Sequence, residues 1–124
     1  MNLLAALLMA AAPAAAPVPA EAEEIVVIGE RLKEWRGTWG SKKGVLACRT
    51  TRSTGDAAID AVGCQALVSC ASPMVPRFTA IAAAKLSKAE RQRRMDAASQ
   101  AMLPCLKEAR ESGIAALAAQ RAGA

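Results

Sequence analysis

The residues able to do chemistry are four cysteines, spaced Cys48-x15-Cys64-x5-Cys70-x34-Cys105, in a 124-residue chain with no histidine and no tyrosine. Thiols can bridge one another, hold zinc or exchange disulfides. Zinc sites built from cysteine use paired Cys-x2–4-Cys knuckles, and thiol redox catalysts carry Cys-x-x-Cys. Neither spacing occurs, so the pattern predicts two structural disulfides in a chain that reaches an oxidising compartment. Without histidine, the commonest general base and the commonest metal ligand are both missing. Gly-x-Ser-x-Gly and a phosphate-cradling loop are also missing, and the acids are scattered. The expectation is a non-enzymatic protein with no cofactor and no metal. A thiol–disulfide or metal-handling protein is the alternative that uses the same cysteines.

Three pairings of four cysteines exist, and geometry separates them. Cys64 and Cys70 fall on one helix, about 9 Å apart along its axis, beyond the roughly 7 Å limit between bridged Cα atoms. From Cys48 to Ser53 an extended chain covers about 16 Å. A helix folding straight back from Ala57 regains that level near Val68, closer to Cys70 than to Cys64. The lengths therefore predict Cys48–Cys70 and Cys64–Cys105, each stabilising the fold by about 3 to 4 kcal/mol.

The element that carries two of the four thiols is a hub helix from Ala57 to Cys70. Ser53, Thr54 or Asp56 can cap it, and Ile59, Val62, Gly63, Ala66, Leu67 and Cys70 share one arc. Before it comes a hairpin. Residues 35–40 lead to a polar turn at 41–44, and 45–52 return with Leu46, Cys48 and Thr50 on one face. Trp35 and Trp39 share parity. A stacking platform for nucleic acid or sugar would use them with nearby arginines and lysines, but in a chain with only Phe78 as a further aromatic they are expected in the core. After the hub, Pro73 and Pro76 predict a loop over 71–77, followed by a short helical piece at 78–85. Ser87 and Glu90 form a capping box opening a long helix through Arg110, with Lys88, Arg91, Arg93, Arg94, Lys107 and Arg110 expected to stay largely solvated. Pro104 predicts a kink in it, or a break with Pro104 in the first turn of a new segment. Residues 113–124 read as a fraying helical tail.

At the other end, residues 1–20 read as a secretory signal: a short apolar run, Pro13 and Pro17 as breakers, and small residues at Val18 and Ala20 before Glu21. Residues 21–34 read as an acidic strand-like arm, because Ile25, Val26, Val27 and Ile28 are consecutive β-branched residues bounded by glutamates and Gly29. This stretch resembles the TonB box of outer-membrane transporters, Glu-Ile-Val-Val-Thr-Gly-x-Arg, with Ile28 in place of threonine. The chain is also similar to small, uncharacterised secreted four-cysteine proteins of Gram-negative bacteria, a resemblance that implies no activity. A TonB-box-like segment implies a protein partner joined by strand addition through Glu24, Ile25, Val26, Val27 and Ile28.

Composition sets the remaining bounds. Alanine supplies much of the 53% hydrophobic content, and alanine buries little area. The disulfide-stapled domain at 35–112 therefore needs its covalent help. Acids gather in the arm, whereas the body is basic and the whole chain carries +5. Such a balance serves solubility, and beyond that predicts weak affinity for anionic surfaces. No integral membrane segment is expected in the mature chain, which should be periplasmic or secreted. The predicted fold class is α+β, mainly helical: a short β-hairpin, the hub helix and a long C-terminal helix.

Overall fold

A computed structural model describes residues 20–123; the expected signal segment lies outside them, save Ala20. The fold is α+β and mainly helical. In chain order come α1 (Ala20–Leu32), β1 (Arg36–Lys42), β2 (Val45–Arg52), α2 (Ala57–Ala71), a single 3₁₀ turn (Ser72–Met74), α3 (Val75–Ala83), α4 (Lys88–Ala101) and α5 (Leu103–Ala122). The two strands pair antiparallel through a two-residue turn, Lys43-Gly44, in which both residues have positive φ. That turn matches the right-handed twist of the strands. Opposite Arg36 and Gly37, Thr51 is the extra residue of a bulge on β2, which bends the hairpin at its open end.

α2 is the hub. Asp56 caps it, its side chain accepting from the backbone N–H groups of Ala58 and Ile59. Ile59, Val62, Gly63, Ala66 and Cys70 are buried along the arc that the periodicity marks. One core cluster joins Ile28 and Leu32 of α1, Trp35, Ile59 and Val62 of α2, and Leu117 and Ala118 of α5. A second gathers Cys70, Ala71 and Met102, with Trp39, Leu46 and Phe78 packed around them. Trp39 meets Phe78 edge-on, ring centroids 5.1 Å apart. Both tryptophans thus serve packing. Trp35 is 3% exposed, and its indole N–H donates to Thr50 Oγ1 at 3.0 Å.

Four expectations are corrected. Residues 21–34 are not a strand-like arm: α1 is a helix, because Ile28 and Leu32, one turn apart, fill a gap between α2 and α5. Tertiary burial outweighs the β-propensity of Ile25 to Ile28. The tail does not fray, since α5 runs on through Gly113, and Leu117 and Ala118 beyond it are buried. The stapled domain accordingly includes both ends of the described chain. Residues 71–77 are not a loop. Pro73 and Pro76 each begin a helical segment, where a proline's missing N–H is not needed. The resulting apolar run, Ala57–Ala83, is long enough to cross a bilayer by length and composition; in this fold it comprises α2, the 3₁₀ turn and α3. Pro104 sits in the first turn of α5 after a break at Met102.

The fourth correction is the disulfide connectivity. The bridges are Cys48–Cys64 and Cys70–Cys105, with Cα separations of 5.5 and 5.8 Å. α2 does not fold straight back along β2. It crosses the hairpin and touches both strands, and the bulge at Thr51 shortens the reach of β2. Cys48 therefore meets the hub about one turn earlier than a straight return to Val68 would place it, at Cys64.

Candidate functional site: a groove between the hairpin and the last helix

Both disulfides are anchored on α2, and each holds one wall of a groove. Cys48–Cys64 fastens the hairpin to the hub, and Cys70–Cys105 fastens the first turn of α5 to it. Between these walls β1 and α5 do not close. One compartment, about 390 Å³, is lined by Gly37, Thr38 and Trp39 of β1, Leu67 of α2, and Met102, Leu103 and Leu106. A second, about 380 Å³, continues along α5 past Leu103 and Leu106 to Lys107, Arg110 and Glu111. The two adjoin at Leu103 and Leu106 and form one trough, walled by β1 and α5 in the first compartment and by the face of α5 alone in the second. Its volume lies in the range of small-molecule sites, about 300–1,000 Å³.

The α5 wall follows from helical spacing. Leu103, Leu106, Lys107 and Arg110 fall at i, i+3, i+4 and i+7, one stripe down the helix. Roughly 10 Å of helix axis separates Leu103 from Arg110. Leu103 is 59% exposed. Arg110 is half-buried, its guanidinium carbon 5.9 Å from the centre of the Trp35 ring. Trp35 is fixed beneath it by Gly63 and Gly37, where an added Cβ would lie 2.5 and 2.3 Å from indole carbons. Arg110 Nε is shielded from water and has no hydrogen-bond partner, and among the described residues no carboxylate lies within 4 Å of Arg110 or Lys107. This cation is held by packing and by the ring face, not by a counter-charge.

The acids of the hub have structural roles instead. Asp56 receives Arg121 of α5 at 2.7 Å and Arg31 of α1 at 3.7 Å, so three helices meet at one carboxylate. The Arg121 hydrogen bond, aided by the N–H groups of Ile59 and Ala58, holds that carboxyl below its ordinary pKa. Asp60 accepts from the Ser53 hydroxyl and from the N–H and hydroxyl of Thr54, and its pKa is lowered for that reason.

The sequence-predicted binding segment is dispersed by its helix. Ile28 is fully buried, whereas Ile25, Val26 and Val27 are 39%, 64% and 52% exposed, with Glu24 half-exposed beside them. Strand addition by these residues would require α1 to unwind and Ile28 to leave the core. All four cysteines are bridged. Among the described residues no three His, Cys, Asp or Glu side chains converge as a metal site requires. The groove itself was not expected from the sequence, which placed Lys107 and Arg110 on a solvated face. The available signal was that Leu103, Leu106 and Arg110 share a stripe.

Comparison with known proteins returns no matching family model, no matching curated protein and no matching solved structure.

Proposed function

We propose that this chain is an exported, non-enzymatic envelope protein, periplasmic or secreted, whose role is binding or structural. One observation carries the reading. All four cysteines are paired, and each pair joins separate elements of the fold, as staples of a small core do in an oxidising compartment. A thiol–disulfide catalyst would instead keep a closely spaced, exchangeable pair. The residues between the staples, a preformed trough with apolar walls and free cations, give a binding role its most concrete location. Expression of the full chain in a Gram-negative host, followed by fractionation and thiol alkylation, tests this. The expected result is protein in the periplasm or medium with four blocked cysteines that resist mild reductant. Cytoplasmic protein with free thiols, a labile pair, or bound zinc would sink it.

A further inference from the structure

We propose that the groove between β1 and α5 binds a fatty acid, with the chain lying along Leu103 and Leu106 and the carboxylate on Lys107 and Arg110. The inference rests on the reading of this protein as a binding protein and supplies the ligand class. Four observations converge on it. The trough is elongated along α5, because its two compartments adjoin at Leu103 and Leu106. That shape suits a single chain better than a flat bilayer. Both compartments are walled mainly by apolar surface, and the cations, Lys107 and Arg110, sit at one end only.

The cationic end is also unsatisfied. Arg110 Nε is buried without a partner, and neither Arg110 nor Lys107 has a carboxylate within 4 Å among the described residues. Glu111 lines the same end, leaving it with a single net positive charge. An arginine fork presented beside a lysine is suited to a planar carboxylate. Finally, the walls are preorganised. Each is fastened to α2 by its own disulfide, so closing on a chain orders little that is not already ordered.

The test titrates the oxidised full chain with dodecanoate below its micellar range and follows tryptophan emission. Trp39 lines the trough and Trp35 lies under Arg110, so both report on occupancy. Dodecanol, a dodecyl trimethylammonium salt and phosphatidylglycerol vesicles serve as comparison probes. Arg110→Gln and Leu103→Asp are the variants; Leu103 is exposed, so its substitution leaves the urea midpoint in place and isolates the trough. The proposal expects saturable dodecanoate binding, weakened about tenfold or more by each variant, since a charge-assisted contact or an added like charge is at stake. It is overturned by absent or non-saturating dodecanoate binding, by equal affinity for dodecanol, or by variants that bind as the native chain does. Binding to vesicles alone also overturns it and assigns the surface to a bilayer. Because the thiol count is read on a separate preparation, loss of the fatty acid result leaves the export reading standing, and the reverse holds too.

Discussion

Replacing Gly63 by alanine adds one methyl group to the middle of α2, and the same change at Gly29 adds one to α1. Intrinsic propensity favours both by about 1 kcal/mol, since glycine is a poor helix former. The surroundings differ. At Gly29 the nearest foreign atom to the new Cβ is Ile114 Cδ1 at 4.0 Å, an ordinary contact. At Gly63 the Cβ would sit over the indole of Trp35, 2.5 Å from Cδ2 and 2.7 and 2.8 Å from its neighbours. The ring is rigid, its N–H is tied to Thr50, and its outer edge already lies against Gly37. Displacing it brings an overpacking cost of about 1–3 kcal/mol and about 1 kcal/mol for the weakened hydrogen bond. Set against the propensity gain, Gly63→Ala should destabilise the protein by about 1–3 kcal/mol, whereas Gly29→Ala should stabilise it by about 0.5–1 kcal/mol. Urea unfolding followed by far-ultraviolet circular dichroism reads both from the midpoints. In thermal scans each kcal/mol corresponds to about 4–8 °C for a domain near this size. A Gly63→Ala protein as stable as the native one would refute the flush packing of Trp35.

Peptide mapping without reduction should recover Cys48 joined to Cys64 and Cys70 joined to Cys105; replacing either pair by alanines should cost about 3 and 4 kcal/mol respectively, the larger loop losing more. Leu117→Ala should destabilise by about 2–4 kcal/mol in denaturant titration, because Leu117 is a member of the main core and not part of a frayed end. Asp56→Ala should cost about 1–2 kcal/mol, through loss of the α2 cap and of the Arg121 contact. Acidification has a definite sign. The Asp60 carboxyl is held below its ordinary range by Ser53 and Thr54, so its stabilisation is complete above about pH 4 and disappears as pH falls through the lower folded value. Urea midpoints of Asp60→Asn should therefore change less between about pH 5 and pH 2 than those of the native chain.

Where one helix face decides burial, the sequence was readable. The α2 arc from Ile59 to Cys70, the alternation of Leu46, Cys48 and Thr50, and the break before Pro104 all follow from local period and proline chemistry. Where the outcome depended on a distant partner, it was not. Ile25 to Ile28 has strand-forming residues, yet Ile28 belongs to a core completed by Leu117, far along the chain. The disulfide pairing failed for a related reason. It turned on how α2 lies across both strands of the hairpin, with Trp35 packed between Gly63 and Gly37, and on the bulge at Thr51, none of which the count of residues between cysteines reveals. The trough was hidden because it is a space between β1 and α5, elements whose relation no local pattern encodes. Arg110 read as a solvated cation because a sequence does not show which ring lies beneath it.

The pairing of α1 with α5 also sets an order of events during synthesis. A chain made from its N-terminus presents the stretch from Ile25 to Ile28 long before α5 exists to cover Ile28 and Leu32. Thirteen residues of isolated helix are marginal in water, and until the last element arrives this apolar, β-branched stretch is free to pair with its like. Folding of the first described helix thus waits on the last, and any chain halted before Leu117 leaves Ile28 and Leu32 without their α5 cover.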